Sequence, residues 1–193
     1  QLTNVTNFKN WTVNKVIQHL HGSDRMAVLS LKDPDGFKRV ISEPDQVAST
    51  MNPQQTGIQL VQDWWLYFEE MAELLGQSEP KRRLPWFGPD MGVMMFTTAR
   101  QMETWAHGQE IFDLFGVARV NSDRIRNIAV IGVKTFGWTF ANRGLTPPGA
   151  APYVRLIAPS GEIWEWNEPD DANKVEGLAV DFCWVVTQGR NIT

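Results

Sequence analysis

The stretch from Thr97 to Phe112 constrains this chain more than any other, because it reads as one uninterrupted helix. Glu103 and His107 are four residues apart, so they lie one turn apart on the same face. Glu110 falls further along that face. Met95, Ala99, Met102 and Ala106 form an adjoining apolar stripe, which predicts that this side packs inward. A carboxylate and an imidazole stacked on a rigid helix are two ready metal ligands. Alone, such a pair is more often a hydrogen-bonded surface couple, since the spacing recurs by chance. The deciding question is whether the rest of the chain brings a third ligand.

Two more helices follow from apolar period. Thr12 caps a helix predicted from about Val13 to Leu31, with Val13, Val16, Ile17, Leu20, Ala27, Val28 and Leu31 on its stripe. Gly22 weakens this helix without forbidding it. Asp24 projects into the stripe, so it needs a partner if buried. Ile58, Val61, Trp65, Phe68, Met71, Ala72 and Leu75 predict a helix from about Pro53 to Leu75, stopped by Gly76. Between these, Asp33-Pro34-Asp35-Gly36 reads as a turn, and residues 37–52 as loop with a short helix. Residues 1–10 read as the end of a loop. The chain opens at Gln1 without a methionine, which suggests that an N-terminal helix precedes it in the natural protein. Residues 77–92 are loop, with a solvated basic run and a rigid apolar Pro85-Trp86-Phe87-Gly88-Pro89 piece suited to covering something.

After Gly116 the pattern changes. Residues 123–142 read as a helix, and Pro147-Pro148-Gly149 breaks the chain. Residues 153–158 and 162–167 then alternate with period two around Pro159-Ser160-Gly161, which predicts a hairpin. Asn173 is placed to cap a last helix from Lys174 to about Gln188. The expected division is a helical domain over 1–118 and a small α+β domain over 119–193.

Composition narrows the function classes. The net charge is −4 and the basic residues are scattered, which argues against a nucleic-acid surface. No apolar run approaches the roughly 20 residues that span a bilayer, so no membrane partner is expected. No signal peptide is visible, and the three sequons at Asn4, Asn10 and Asn191 read as chance. The lone Cys183 excludes an internal disulfide and suits a reducing, cytoplasmic setting, with burial its expected fate. Nine tryptophans are chiefly core material; Trp86 and Trp105 are the candidates for a substrate wall.

The chain has three histidines: His19, His21 and His107. A histidine from the first helix joined to the Glu103–His107 pair would complete a three-ligand site with an open fourth position. Helical spacing puts His21 nearest the centre of the apolar stripe. The segment Trp11-Thr12, six residues, His19-Leu20 resembles the corresponding segment of the mycothiol-dependent maleylpyruvate isomerase family, within the wider DinB-like metal-binding bundles. Glu103-Thr104-Trp105-Ala106-His107 is similar to that family's Glu-x-x-x-His ligand pair. The Trp86-to-Met91 loop and the Glu103-to-Gln109 run resemble one uncharacterised bacterial branch of it.

The resemblance implies a mainly α, DinB-like four-helix bundle, its first helix without a counterpart here, followed by a small C-terminal domain. It implies a divalent metal, usually zinc, on His19, Glu103 and His107, with His21 the alternative. It implies a low-molecular-weight thiol such as mycothiol or glutathione, activated for addition to a small electrophile by an isomerase or S-transferase. Asp24 or Glu110 could then orient a ligand imidazole, and Arg155 could meet an anionic group, although a solvent-facing strand residue is its plainer reading. The rivals are a metal-water hydrolase with the same ligands, and a non-catalytic metal-binding or stress-response bundle. Oligomeric state is left open, a homodimer included.

Overall fold

A computed structural model describes residues 1–190 of the chain; the sequon at Asn191 lies outside the described residues. The chain divides into two compact units, Gln1–Val117 and the residues from Ala118 onward. No helix among the described residues is long and apolar enough to cross a membrane.

The first unit is built on three long helices: α1 (Val13–Lys32), α4 (Gly57–Gly76) and α5 (Val93–Leu114). Two short helices, α2 (Pro34–Ile41) and α3 (Pro44–Met51), fill the connection after α1. The expected turn at 33–36 is instead a helix start. Asp33 accepts from the Gly36 amide and Pro34 sits in the first turn, where its missing N–H costs nothing. Residues 1–12 are likewise no loose loop. The carbonyls of Asn4 and Leu2 accept from the amides of Val13 and Asn14, and Thr12 Oγ1 accepts from Lys15. These are first-turn donors of α1, which otherwise have no partner in the helix.

Two apolar clusters hold the long helices together. One joins Ala27, Val28 and Leu31 of α1 to Met71 of α4 and to Leu84, Val93 and Phe96. The other joins Val13, Ile17 and Leu60, with Leu2, Trp64, Ile111 and Leu114 against them. Short strands β1 (Arg83–Leu84) and β2 (Met91–Gly92) pair antiparallel and clasp the intervening loop. That loop lays Trp86 on Phe37, stacked at 5.6 Å, and edge-on to Phe96 at 4.9 Å. On α5 the buried residues are Val93, Phe96 and Arg100 in its first half and Trp105, Gln109 and Glu110 in its second, whereas the stripe Met95, Ala99, Met102 and Ala106 is only half-buried. A buried carboxylate on α1 draws Arg100 inward and turns the helix with it.

In the second unit the predicted single helix over 123–142 is broken into a 3-10 turn at Asp123–Ile125, α6 (Arg126–Lys134) and α7 (Phe136–Ala141). Thr135 Oγ1 donates to the Ile131 carbonyl at the break, a back-bond that bends helices. The hairpin is present as β3 (Tyr153–Ile157) and β4 (Ile163–Trp166). The expected last helix is shorter. Lys174–Leu178 forms β5, parallel to β3, and α8 spans only Ala179–Val186. The sheet order is β4-β3-β5. Val154, Leu156 and Trp164 are buried on one face with Cys183 and Ile128 also buried in this unit.

Gly22 marks a close approach. A Cβ there would lie 2.7 Å from Met51 Cα and 2.8 Å from its carbonyl carbon, because the end of α3 crosses α1 at that point. Gly22→Ala should therefore destabilise the chain by about 1–3 kcal/mol, as overpacking does. Alanine's helix preference of about 1 kcal/mol argues the opposite sign. Urea denaturation decides between them. Burial also pushes the Cys183 thiol up to about 12, and its Sγ faces the Ile125 carbonyl. Iodoacetamide at mildly alkaline pH should leave the native chain unlabelled and label it fully in urea, read by mass spectrometry.

Candidate metal centre

Successive helical residues turn by about 100°, so His19 and His21 point roughly 200° apart around α1. They serve different neighbours. His21 is buried against α4, its ring edge-on to Tyr67 at 5.2 Å, with Nδ1 unpartnered. Burial and the Arg25 charge hold its pKa below the ordinary imidazole value. His19 faces α5. Its Nε2 is 3.3 Å from Glu103 Oε2, and His107 Nε2 is 3.5 Å from the same oxygen. The two imidazole centroids are 4.7 Å apart, ring planes at 70°. One donor atom each from His19, Glu103 and His107 lies within 4.8 Å of the others.

The Glu103 carboxyl feels burial, which raises its pKa. Hydrogen bonds from His107 and His19 and the Arg100 charge outweigh that and hold it well below the usual carboxylate range. It is therefore a carboxylate at neutral pH. Two of the three edges of the donor set have the spacing that a small divalent cation requires, and all three donors lie within 4.8 Å of one another. Nitrogen–oxygen spacings of 3.3 and 3.5 Å match the roughly 3.4 Å edge of a tetrahedron with bonds of about 2.0–2.1 Å. Two imidazoles and one carboxylate are a three-protein-ligand set of the catalytic zinc type.

Behind the cluster lies a buried ion pair. Asp24 is fully buried and accepts from Arg100 Nη2 at 2.9 Å, Arg100 Nε at 3.3 Å and Trp64 Nε1 at 3.0 Å. Burial holds the Asp24 carboxyl above the ordinary carboxylate value, and Arg100 and Trp64 offset only part of that rise. Asp24 thus bears on the site through Arg100, three residues before Glu103, and makes no bond to an imidazole among the described residues. Glu110 and Trp105 are buried on α5. Trp86 sits against Phe37, Phe96 and Arg100 in the apolar cluster, away from the imidazoles. Arg155 is on β3 in the second unit, ion-paired with Glu165 and Glu176.

The contacts of Phe8 and Trp11 were not foreseen from sequence. Trp11 stacks on His107 at 5.9 Å and 17°, and lies 5.3 Å from His19. Phe8 meets His107 edge-on at 5.0 Å. The only sequence signal is Asn10 between two aromatics, a residue that tolerates the left-handed turn conformation.

The first unit is a helical bundle with a His/Glu/His cluster, a possible metal site, shared between two facing helices. The chain belongs to the mycothiol maleylpyruvate isomerase N-terminal domain family, whose match covers residues 1–112. The helical first unit agrees with the DinB-like architecture that resemblance implied. Two uncharacterized proteins of Mycobacterium tuberculosis, from strains CDC 1551 / Oshkosh and H37Rv, are each 37% identical over 190 residues, spanning 95% of this chain and 74% of theirs. No solved structure matches the chain significantly.

Breaking the buried ion pair should be costly. Asp24→Leu should lose about 3–5 kcal/mol, because Arg100 is left charged and unpaired. Adding Arg100→Met should return much of the loss, and chemical denaturation of the two variants measures both steps.

Proposed function

We propose that His19, Glu103 and His107 hold one divalent cation, zinc first among candidates. On this reading the chain is an enzyme that activates a low-molecular-weight thiol, mycothiol or a similar cellular thiol, for addition to a small electrophile. The observation that carries it is the convergence of both Nε2 atoms on one Glu103 oxygen. The family's name, a mycothiol maleylpyruvate isomerase domain, supports the thiol.

A bound zinc ion supplies a Lewis acid that favours the thiolate form of a thiol it takes up. The chain's own residues prepare the site. Glu103 contributes a permanent negative charge, secured by the two imidazoles and Arg100. Asp24 balances Arg100, so the guanidinium offsets Glu103 without leaving net positive charge in the interior. Helices α1 and α5 fix the ligands on rigid backbone, which favours a preorganised site over one assembled from loops. Thiol and electrophile held side by side gain from proximity as well as from activation. A conjugated electrophile that released the thiol after bond rotation would be isomerised; one that kept it would be an S-conjugate. The lone buried Cys183 suits a reducing cytoplasm, where such thiols are abundant.

The purified chain should carry about one zinc-like ion by elemental analysis, as a three-ligand site does. His107→Ala should lose it while the helical circular dichroism persists. Unchanged ion content in that variant removes His107 from the site. Turnover of a conjugated electrophile should need added thiol; thiol-independent hydrolysis would instead establish the hydrolase reading.

A further inference from the structure

Histidines that ligate metals usually donate their second ring nitrogen to a carboxylate or carbonyl, which locks the ring plane. Among the described residues, His19 and His107 make no such bond; their hydrogen-bonding and ionic contacts there are with Glu103. Their other close neighbours are rings. Trp11 lies nearly parallel to His107, at 17°, and also against His19, while Phe8 meets His107 edge-on.

Those two aromatics are held by a turn of uncommon conformation. Lys9 and Asn10 have φ of +49° and +55°, and the Trp11 amide donates to the Phe8 carbonyl at 2.9 Å. This is a type I′ turn, which favours glycine or asparagine at both centres. A lysine in that region is strained by its Cβ, so the surroundings must hold the turn in place. The turn is locked by buried Thr6, whose amide and hydroxyl both donate to the Trp11 carbonyl, at 2.8 and 3.0 Å. Lys9 Nζ lies 5.0 Å from the Phe8 ring centre and 5.8 Å from that of Trp11, and Lys15 Nζ is 6.0 Å from Trp11. A cation over an aromatic face is attracted by the ring's quadrupole, which helps hold both rings in place. Residues 1–12 thus form a strap that sets Trp11 against both imidazoles and the edge of Phe8 against His107.

We infer that Trp11, assisted by Phe8, is the positioning residue of the metal centre, fixing the planes of His19 and His107 by ring contact where hydrogen bonds would ordinarily do so. This rests on the metal-binding reading above. Trp11 touches both imidazoles, its face parallel to His107 and tilted 54° to His19, so one ring bears on their mutual angle of 70° as well as on each orientation. The ring plane matters more than bulk: an aliphatic side chain of similar size would fill the space and leave both rings free to rotate about their side-chain bonds.

The test uses the full chain and zinc alone, titrated against a chromophoric chelator, with cobalt(II) absorption as a second readout of ligand geometry. Trp11→Leu should bind zinc roughly 10–100-fold more weakly and alter the cobalt bands, the scale seen when partners of metal-binding histidines are removed. Trp11→Phe, which restores a flat ring, should bind within a few-fold of the unaltered chain. Trp65→Leu, on the exposed side of α4, should change neither readout. Equal zinc affinity and an unchanged cobalt spectrum in Trp11→Leu overturn the inference. So does equal weakening in the Leu and Phe variants, because bulk rather than plane would then be at work. If Trp11→Leu does not fold by circular dichroism, Phe8→Leu carries the same test through the edge contact, with a smaller expected loss. Failure of the unaltered chain to bind zinc would instead overturn the metal-binding reading, and this inference with it.

Discussion

The Asp24–Arg100 ion pair sets the register on which the rest of the first unit depends. A carboxylate with no exposed surface tolerates few positions for its cation, and here the guanidinium must come from α5. Once Arg100 is opposite Asp24, the antiparallel run of the two helices carries His19, five residues back along α1, toward Glu103 and His107, further along α5. A slip of one residue would rotate α5 by about 100° and separate the ligands. The pair is thus a positional device at least as much as a stabilising one.

Its surroundings make that device effective. An apolar cluster lies beyond Asp24 toward Leu31 and Phe96, and another lies toward Val13 and Leu60. The polar layer sits between them, with Trp64 closing it from α4 by its bond to Asp24. Dry walls on both sides strengthen every interaction within the layer. Glu103 stands at the rim of this layer with about a third of its side chain exposed (32%), and the two imidazoles and Arg100 hold it ionised alongside water.

The three long helices and the hairpin were legible because their apolar periods persist through whole elements. The failures have local causes. Asp-Pro-Asp-Gly satisfies both a turn and a helix start, and only tertiary packing of Phe37 selects the second. Lys174–Leu178 carries capping and period signals for a helix, yet it pairs with β3, a partner about twenty residues earlier that periodicity does not reveal. At the site, spacing on α1 favoured His21 and motif favoured His19. The roughly 200° between them explains the conflict, since the richest apolar stripe faces α4 while α5 lies on the other side. The aromatic turn at Phe8–Trp11 was nearly silent in the sequence: Asn10 is its one faint signal, and Lys9 gives no warning of a left-handed backbone.

The order β4-β3-β5 leaves the second unit with two outer strands, and β5 is exposed along its whole length. An open strand edge invites other chains to add themselves to the sheet. Lys174 and Glu176, paired with each other on β5 and flanked by Asp171, place fixed charges along that rim. A newcomer would have to strip water from those charges before its backbone could dock. The small sheet therefore carries its own guard against fibril-like growth, and concentrated salt, by muting charge, would thin that guard first.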